Sequence, residues 1–293
     1  MEVYGLLTPL ISATTKSMRI LLLGQTGLLG SEFLRILSAR PDIDLLAPTH
    51  RELDLLDPKA THQLLSGEYF DRIINCVAYT NVDLAETERG RCHQMNVEIL
   101  DMLLQHRSPI IHFSSDYVFD TEPNTQITED AERSPLNYYG ETKQEAEELL
   151  ESKDTLWWNI RTTWLFGANG KNFISSIIDK AITDPILHVV SDEIGRPTSA
   201  RDLAEYVVEE FVDKTQDKGH YHLQNSGEVC SWAELAKYVL HRRHSATEVK
   251  KISGADLVRK ADRPRNSVLK NTKLEGEMRT WKEAVDEFLL ENY

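Results

Sequence analysis

Cysteine is scarce in this chain, with Cys76, Cys92 and Cys230 the only three among 293 residues. An odd number with no CxxC pair excludes a disulfide framework and a cysteine-based zinc site, and it suits buried or free thiols in a reducing compartment. In "HRRH" the histidines His241 and His244 have neither an HExxH helix nor a cysteine partner, so no metal is expected. Long apolar runs are missing too: no stretch approaches the ~18 residues of a membrane span. Positive charge is the third shortage, with 33 Lys and Arg against 47 Asp and Glu for a formal net charge of -14. Binding along nucleic acid or an anionic membrane needs clustered cations, so neither is an expected partner; a small anionic ligand held by a few local donors is compatible. The opening "MEVYGLLTPLISATTKS" has no basic n-region and does not read as a signal peptide. Residues 1–17 are expected to form a disordered extension ahead of Met18, and the protein to be cytoplasmic.

What is present is globular: 41% hydrophobic and 27% charged residues, in a chain long enough for one large α/β domain or two lobes. "RILLLGQTGLLGSEFLRILSAR" starts with an apolar run suited to a strand buried on both faces. Glycines follow, and then Leu28, Leu29, Phe33, Leu34 and Leu37 recur at helical spacing. Further apolar runs at "DLLAPT", "RIINCVA", "PIIHFSS", "LWWNIRTTWLF" and "ILHVV" are separated by amphipathic stretches such as 93–106 and 141–152. Strands alternating with helices predict an α/β fold, a Rossmann-like, doubly wound parallel sheet. The last hundred or so residues are less regular, with a helix at "SWAELAKYVLHRR" that Ser231 and Glu234 would close as a capping box.

Gly24, Gly27 and Gly30 form GxxGxxG between that first strand and helix. The first glycine permits the tight turn, the second lets the backbone approach a pyrophosphate, and the third allows close packing of helix on strand. The helix N-terminus then faces the negative charge, so a dinucleotide is expected there. About twenty positions on, where an NAD-specific site would carry an acid, the chain reads "APTHRELD". His50 and Arg51 stand at that place, with Asp54 slightly later. Arg51 is either a receptor for a 2′-phosphate, which would admit NADPH, or an exposed loop arginine.

In "SPLNYYGETKQEAEELL", Tyr139 and Lys143 are four apart and share a helix face, while Tyr138 points elsewhere. The Lys143 ammonium is expected to favour the phenolate and so depress the tyrosine pKa, which suits the pair to deliver a proton to a carbonyl oxygen while hydride reaches the carbon. Residues from Glu141 onward read as a solvated helix with its acidic face outward. Upstream, "IIHFSSDYVFD" is an apolar strand ending in hydroxyl and carboxylate groups, and open α/β sheets bind ligands beyond the carboxyl ends of their strands. Ser115 is therefore expected beside Tyr139.

A Ser, Tyr, Lys constellation behind a glycine turn resembles the extended short-chain dehydrogenase/reductases. The blocks "GQTGLLG", "NCVAYTNVDLAE", "SSDYVFD", "YYGETKQEAE", "RTTWLFG", "SDEIGRPTSARDLA" and "RPRNSVL" occur in the order seen in dTDP-4-dehydrorhamnose reductases. That resemblance implies a dinucleotide-binding domain over 18–165 with about 197–230, and a smaller, discontinuous C-terminal lobe for substrate over about 166–196 and 231–293. It implies NADPH or NADH as cofactor, against Gly27, Leu28 and Leu29 at the phosphates, Asp54 and Leu55 near the adenine, and Ala78, Tyr79 and Thr80 along its length. Ser115, Asp116 and Tyr117 would hold the sugar, Tyr139 would donate the proton, Lys143 would bind the nicotinamide ribose and orient it, and Trp164 would face the hexose. The substrate implied is a dTDP-sugar, dTDP-4-dehydro-L-rhamnose, and a homodimer is allowed. The chain departs from the family's usual pattern at Ser115, where many members have Thr, and at Thr121, where Gly is usual. Two other readings stay open: a reductase of a different nucleotide 4-keto-6-deoxyhexose, and a non-catalytic subunit similar to the regulatory β subunit of methionine adenosyltransferase. The run "YTNVDLAE" looks like the reductases and not like that subunit.

Overall fold

The computed structural model describes residues 17–123 and 125–293. The extension expected over residues 1–17 lies, apart from Ser17, outside the described residues. Five strands build the centre of the molecule: β1 (Met18–Leu23), β2 (Ile43–Leu46), β3 (Arg72–Asn75), β4 (Ile110–Ser115) and β5 (Trp157–Thr162). A sixth, Gly219–His222, adds to the edge beside β5. Among the described residues ten α-helices accompany them: α1 (Leu28–Ser38), α2 (Pro58–Leu65), α3 (Val82–Ala85), α4 (Arg89–His93), α5 (Ile99–Leu104), α6 (Tyr138–Glu151), α7 (Phe173–Thr183), α8 (Ala200–Val207), α9 (Trp232–Arg242) and α10 (Trp281–Asn292).

All pairings in the sheet are parallel, in the order β2-β1-β3-β4-β5-edge. Side chains alternate across a strand, so an apolar run in β1 feeds both faces. Ile20 and Leu22 join Phe33 and Leu37 of α1 and Leu203 of α8 on one side, and Leu21 and Leu23 join Leu100 and Leu103 of α5 and Leu150 of α6 on the other. The chain runs from β1 outward to β2 and then crosses back to β3 on the other side of β1, which places the topological switch point between β1 and β3. A crevice forms there, beyond the carboxyl ends of the strands.

Two expected elements differ in form. The amphipathic stretch at 93–106 is not one regular helix, because a π-helical turn at Gln94–Glu98 joins α4 to α5. Such widened turns rotate the side chains that follow and mark functional positions often. The run "LWWNIRTTWLF" breaks after Thr162, where Trp164 takes φ 48°, and a separate pair, Leu165–Phe166, aligns with Thr198–Ser199. The remaining C-terminal segments pack around a second core of α7, α9 and α10, including Ile174, Leu235, Val239, Trp281 and Val285. There the strand Ile194–Gly195 pairs with Cys230–Ser231 on one side and Asn266–Ser267 on the other. The capping box of α9 is as the spacing predicts, with Ser231 Oγ accepting from Glu234 N and the Glu234 carboxylate accepting from Ser231 N.

Candidate active site

The glycine turn fills one wall of the crevice. Gly24 has φ +82°, which a residue with a Cβ adopts at a cost, and a Cβ there would come within 3.0 Å of the Cys76 carbonyl carbon. At Gly30 a Cβ would stand 2.1 Å from the Gly24 carbonyl oxygen, so helix α1 can lie this close to the turn only with glycine. Gly27 precedes α1 with extended backbone and no side-chain cap, and no acid occupies the first turn. The unpaired N–H groups of α1 are therefore available to an anion. The turn that leads into them lines a cavity of about 440 Å³, where Gly24, Gln25, Thr26 and Gly27 meet Thr49, His50, Asp54 and Leu55, and Ala78 and Arg91. These groups fit a pyrophosphate and an attached nucleoside.

Not every residue expected at the cofactor reaches this cavity. Leu28 packs toward the core and against Gly167, and Leu29 is buried in it. Tyr79 is buried with its hydroxyl donating to Glu88 at 3.0 Å, and Thr80 is exposed. Arg51 is exposed on its turn and lies outside the lining, whereas its neighbour His50 is part of it. The cation that does line the cavity is Arg91 of α4, which sequence reading passed over because it lies some forty residues beyond the place an NADP signature is sought.

Across the crevice, α6 is pressed onto the turn that follows β4. Asn137 caps the helix, its Oδ1 accepting from Gly140 N at 2.9 Å, and a Cβ on Gly140 would meet the Tyr117 carbonyl oxygen at 2.3 Å. Glycine at 140 thus lets Tyr139 approach Ser115. The Tyr139 and Tyr117 rings meet edge to face at 5.5 Å. Tyr138 goes the other way, its ring beneath the Arg89 guanidinium and its N–H donating to Glu86 at 2.7 Å. Tyr139 and not Tyr138 is thus the tyrosine beside Ser115, on the helix face it shares with Lys143.

Burial pushes the Tyr139 phenol pKa well up, and the Ser115 hydroxyl is the group that draws it down. The depression by Lys143 expected from the spacing is not seen. Burial lowers the Lys143 ammonium to about 8, and its Nζ donates to the Phe113 carbonyl at 2.9 Å. Ser115 donates to Asp116 Oδ1 at 2.9 Å. The Asp116 carboxyl is raised to about 6 by burial, against nearby Ser267, Ser115 and Thr163 hydroxyls, and its Oδ2 has no hydrogen-bond partner among the described residues. A buried acceptor left open in this way suits a ligand hydroxyl.

Two more polar residues support the cluster. Asn96, turned inward by the π-helical segment, accepts from Tyr79 N at 2.8 Å and donates to Thr142 Oγ1 of α6 at 2.9 Å. Glu147, one turn beyond Lys143, is fully buried. It accepts from Arg161 Nε at 2.9 Å and Nη2 at 2.7 Å, from Asn159 at 3.0 Å and from Arg133 at 3.2 Å. Burial alone would raise its carboxyl, but Arg161 above all, with His220 and the Ser114 hydroxyl, holds it at about 2. The expectation that the acidic residues of α6 from Glu141 onward face outward fails at Glu147; the signal was its spacing, four residues past the inward-facing Lys143.

On the far side of the cluster, Asp83 of "YTNVDLAE" accepts from Arg263 of "RPRN" at 3.0 Å and from the Ala261 and Lys260 amides. The two sequence blocks are thus one wall. Trp164 follows Thr163, whose hydroxyl is near Asp116, and is half-buried. A separate cavity of about 530 Å³, lined by Gln126, Arg196, Gln224 and Lys270 among others, contains none of the residues of this cluster.

A parallel sheet with its switch point at a glycine turn, and a Ser, Tyr, Lys cluster at the neighbouring strand ends, define the class: an extended short-chain dehydrogenase/reductase fold. The family described as the RmlD substrate binding domain matches residues 18–293, and the chain belongs to that family. A dTDP-4-dehydrorhamnose reductase of Aggregatibacter actinomycetemcomitans is 32% identical, over 88% of this chain and 92% of the relative. A probable dTDP-4,6-dihydroxy-2-methyloxan-3-one 4-ketoreductase of Streptomyces antibioticus is 31% identical, over 92% and 94%. The crystal structure of a dTDP-4-dehydrorhamnose reductase from Bacillus anthracis in complex with NADP is similar with a TM-score of 0.87 at 27% identity, covering 94% of this chain and 99% of that one.

Proposed function

We propose that this chain is an NAD(P)H-dependent oxidoreductase that reduces the C4 keto group of dTDP-4-dehydro-L-rhamnose to dTDP-L-rhamnose, a cytoplasmic step toward cell-surface polysaccharide. The observation that carries this is the convergence of Ser115, Tyr139 and Lys143 beside an uncapped, glycine-walled helix N-terminus, in a chain with a reductase of that name 32% identical over 88% of its length. Gly24, Gly27 and the α1 amides would hold the pyrophosphate, with His50, Asp54, Leu55, Ala78 and Arg91 around the nucleoside. When bound, the nicotinamide supplies the hydride that reaches C4.

The protein's own groups manage the proton. Tyr139 keeps its proton at neutral pH because burial raises its pKa, and an alkoxide forming on the C4 oxygen is basic enough to take it. Lys143, anchored by its Nζ on the Phe113 carbonyl and largely protonated at neutral pH with a pKa of about 8, binds and orients the nicotinamide ribose. Ser115 donates to the same C4 oxygen when its hydroxyl turns from Asp116. The open Oδ2 of Asp116 accepts a sugar hydroxyl, Tyr117 closes the site beside Tyr139, and Trp164 packs on the hexose. The irregular C-terminal segments hold the nucleotide half.

A second reading keeps the chemistry and changes the sugar, and the relative named as a 4-ketoreductase of a different dTDP-sugar favours keeping it in view. A coupled assay with a panel of dTDP- and GDP-4-keto-6-deoxyhexoses decides. Preferred turnover of dTDP-4-dehydro-L-rhamnose, with dTDP-L-rhamnose as product, is the expected outcome; preferred turnover of another sugar would replace the substrate while leaving the reaction.

A further inference from the structure

Trp164 has an unusual backbone. Its φ of 48° is shared, among the non-glycine described residues, only by His244. A bulky ring in the left-handed region persists where its surroundings over-determine it, and such residues cluster at ligand sites. Two contacts fix this one. Trp232, the first residue of α9, lays its indole on that of Trp164 with centroids 3.5 Å apart and planes 13° from parallel. Gly195 is the other: a Cβ there would stand 2.8 Å from Cε2 and 3.0 Å from Cζ2 of the Trp164 indole.

The two contacts are themselves tied together. Ile194 and Gly195 pair in antiparallel register with Ser231 and Cys230, so the strand that carries Gly195 is hydrogen-bonded to the strand that leads into Trp232. Phe173 of α7 backs Trp232 at 4.5 Å between ring centroids. On its other side Ile194–Gly195 pairs with Asn266–Ser267, and Ser267 lies beside the Asp116 carboxylate. One small sheet therefore registers the Trp164 indole against the cluster that holds Ser115 and Asp116.

We propose that Gly195 and Trp232 are positioning residues that clamp the Trp164 indole and so set the surface it offers to the hexose of the nucleotide-sugar. This rests on the reading of Trp164 as sugar-facing. The C–H face of a pyranose packs on an aromatic surface of fixed orientation, and an indole free to rotate would lose that freedom on every binding event. Glycine at 195 makes room for the ring, Trp232 removes its alternative orientations, and the left-handed turn aims it.

Titration with dTDP-L-rhamnose tests this, with NADPH affinity measured alongside and near-ultraviolet circular dichroism reporting the coupled indoles. Trp232→Ala is expected to weaken dTDP-L-rhamnose about tenfold, the size of a lost aromatic pair. NADPH affinity should stay unchanged while the exciton couplet disappears. Trp232→Phe, which keeps a ring, should stay within about threefold of the parent, and Gly195→Ala should behave as Trp232→Ala. Should Trp232→Ala not fold, Trp232→Leu keeps the bulk without the ring and takes its place. A lost couplet with parent-like dTDP-L-rhamnose affinity would reduce the stack to packing and overturn the proposal. Trp164→Ala separates the two levels: if it binds like the parent, the sugar-facing reading falls and the clamp with it. If it binds weakly while the Trp232 variants do not, only the clamp falls.

Discussion

Lys143 connects charge, burial and catalysis in a single side chain. Burial lowers it from 10.5 to about 8. The protonated form is the one proposed to hold the nicotinamide ribose, so kcat is expected to fall as pH rises through about 8, read from a pH profile at saturating substrate. Its effect on stability has the opposite sign. Between about 8 and 10.5 the unfolded chain binds a proton that the folded chain does not, so this group favours folding more as pH rises through that window. Arg91 and Arg51 make a second contrast at this scale. Arg91→Ala is expected to weaken NADPH about tenfold, as for loss of one charge-assisted hydrogen bond, and Arg51→Ala to change it little; calorimetric titration of both variants with NADPH and NADH checks this. Arg51 was legible as a candidate because sequence distance along the chain is what a dinucleotide signature counts. Arg91 was not, because the crossover from β3 brings it to the cavity through space.

At the scale of elements, α6 is held by two attachments one turn apart: Lys143 to the Phe113 carbonyl, and Glu147 to Arg161 and Asn159 of β5. The second fixes the axial position of the helix and hence of Tyr139 over the end of β4. Glu147→Gln leaves the buried Arg161 guanidinium without its counter-charge, a change of about 3 kcal/mol in stability by analogy with broken buried pairs, measured by urea unfolding. The carboxyl sits at about 2 in the fold against 4.5 as reference, so its contribution is complete above about 4.5 and is lost as pH falls toward 2. The helix itself could be read from spacing, as could the strand ends at Ser115 and the capped start of α9. The π-helical turn that brings in Asn96 and the break at Trp164 could not. Both are local backbone departures imposed by neighbours distant in sequence, Thr142 in one case and Gly195 with Trp232 in the other.

For the molecule as a whole, the doubly wound parallel sheet followed from alternation of apolar runs and amphipathic stretches, because β1 must bury both faces and its glycines must turn the chain at the carboxyl end. The C-terminal packing did not follow: its strands are mostly two residues long and carry no periodicity to read. Yet that part supplies the wall opposite the cofactor cavity, where Arg263 meets Asp83 and Ser267 meets Asp116. The central claim is that one buried phenol at this junction delivers the proton to the C4 oxygen. Single-turnover reduction of dTDP-4-dehydro-L-rhamnose by NADPH, compared between Tyr139→Phe and Tyr138→Phe, tests it most directly. The account predicts that Tyr139→Phe loses at least about a hundredfold in rate while still binding NADPH, and that Tyr138→Phe stays close to the parent. A Tyr139→Phe enzyme that reduces the sugar at the parent rate would contradict it.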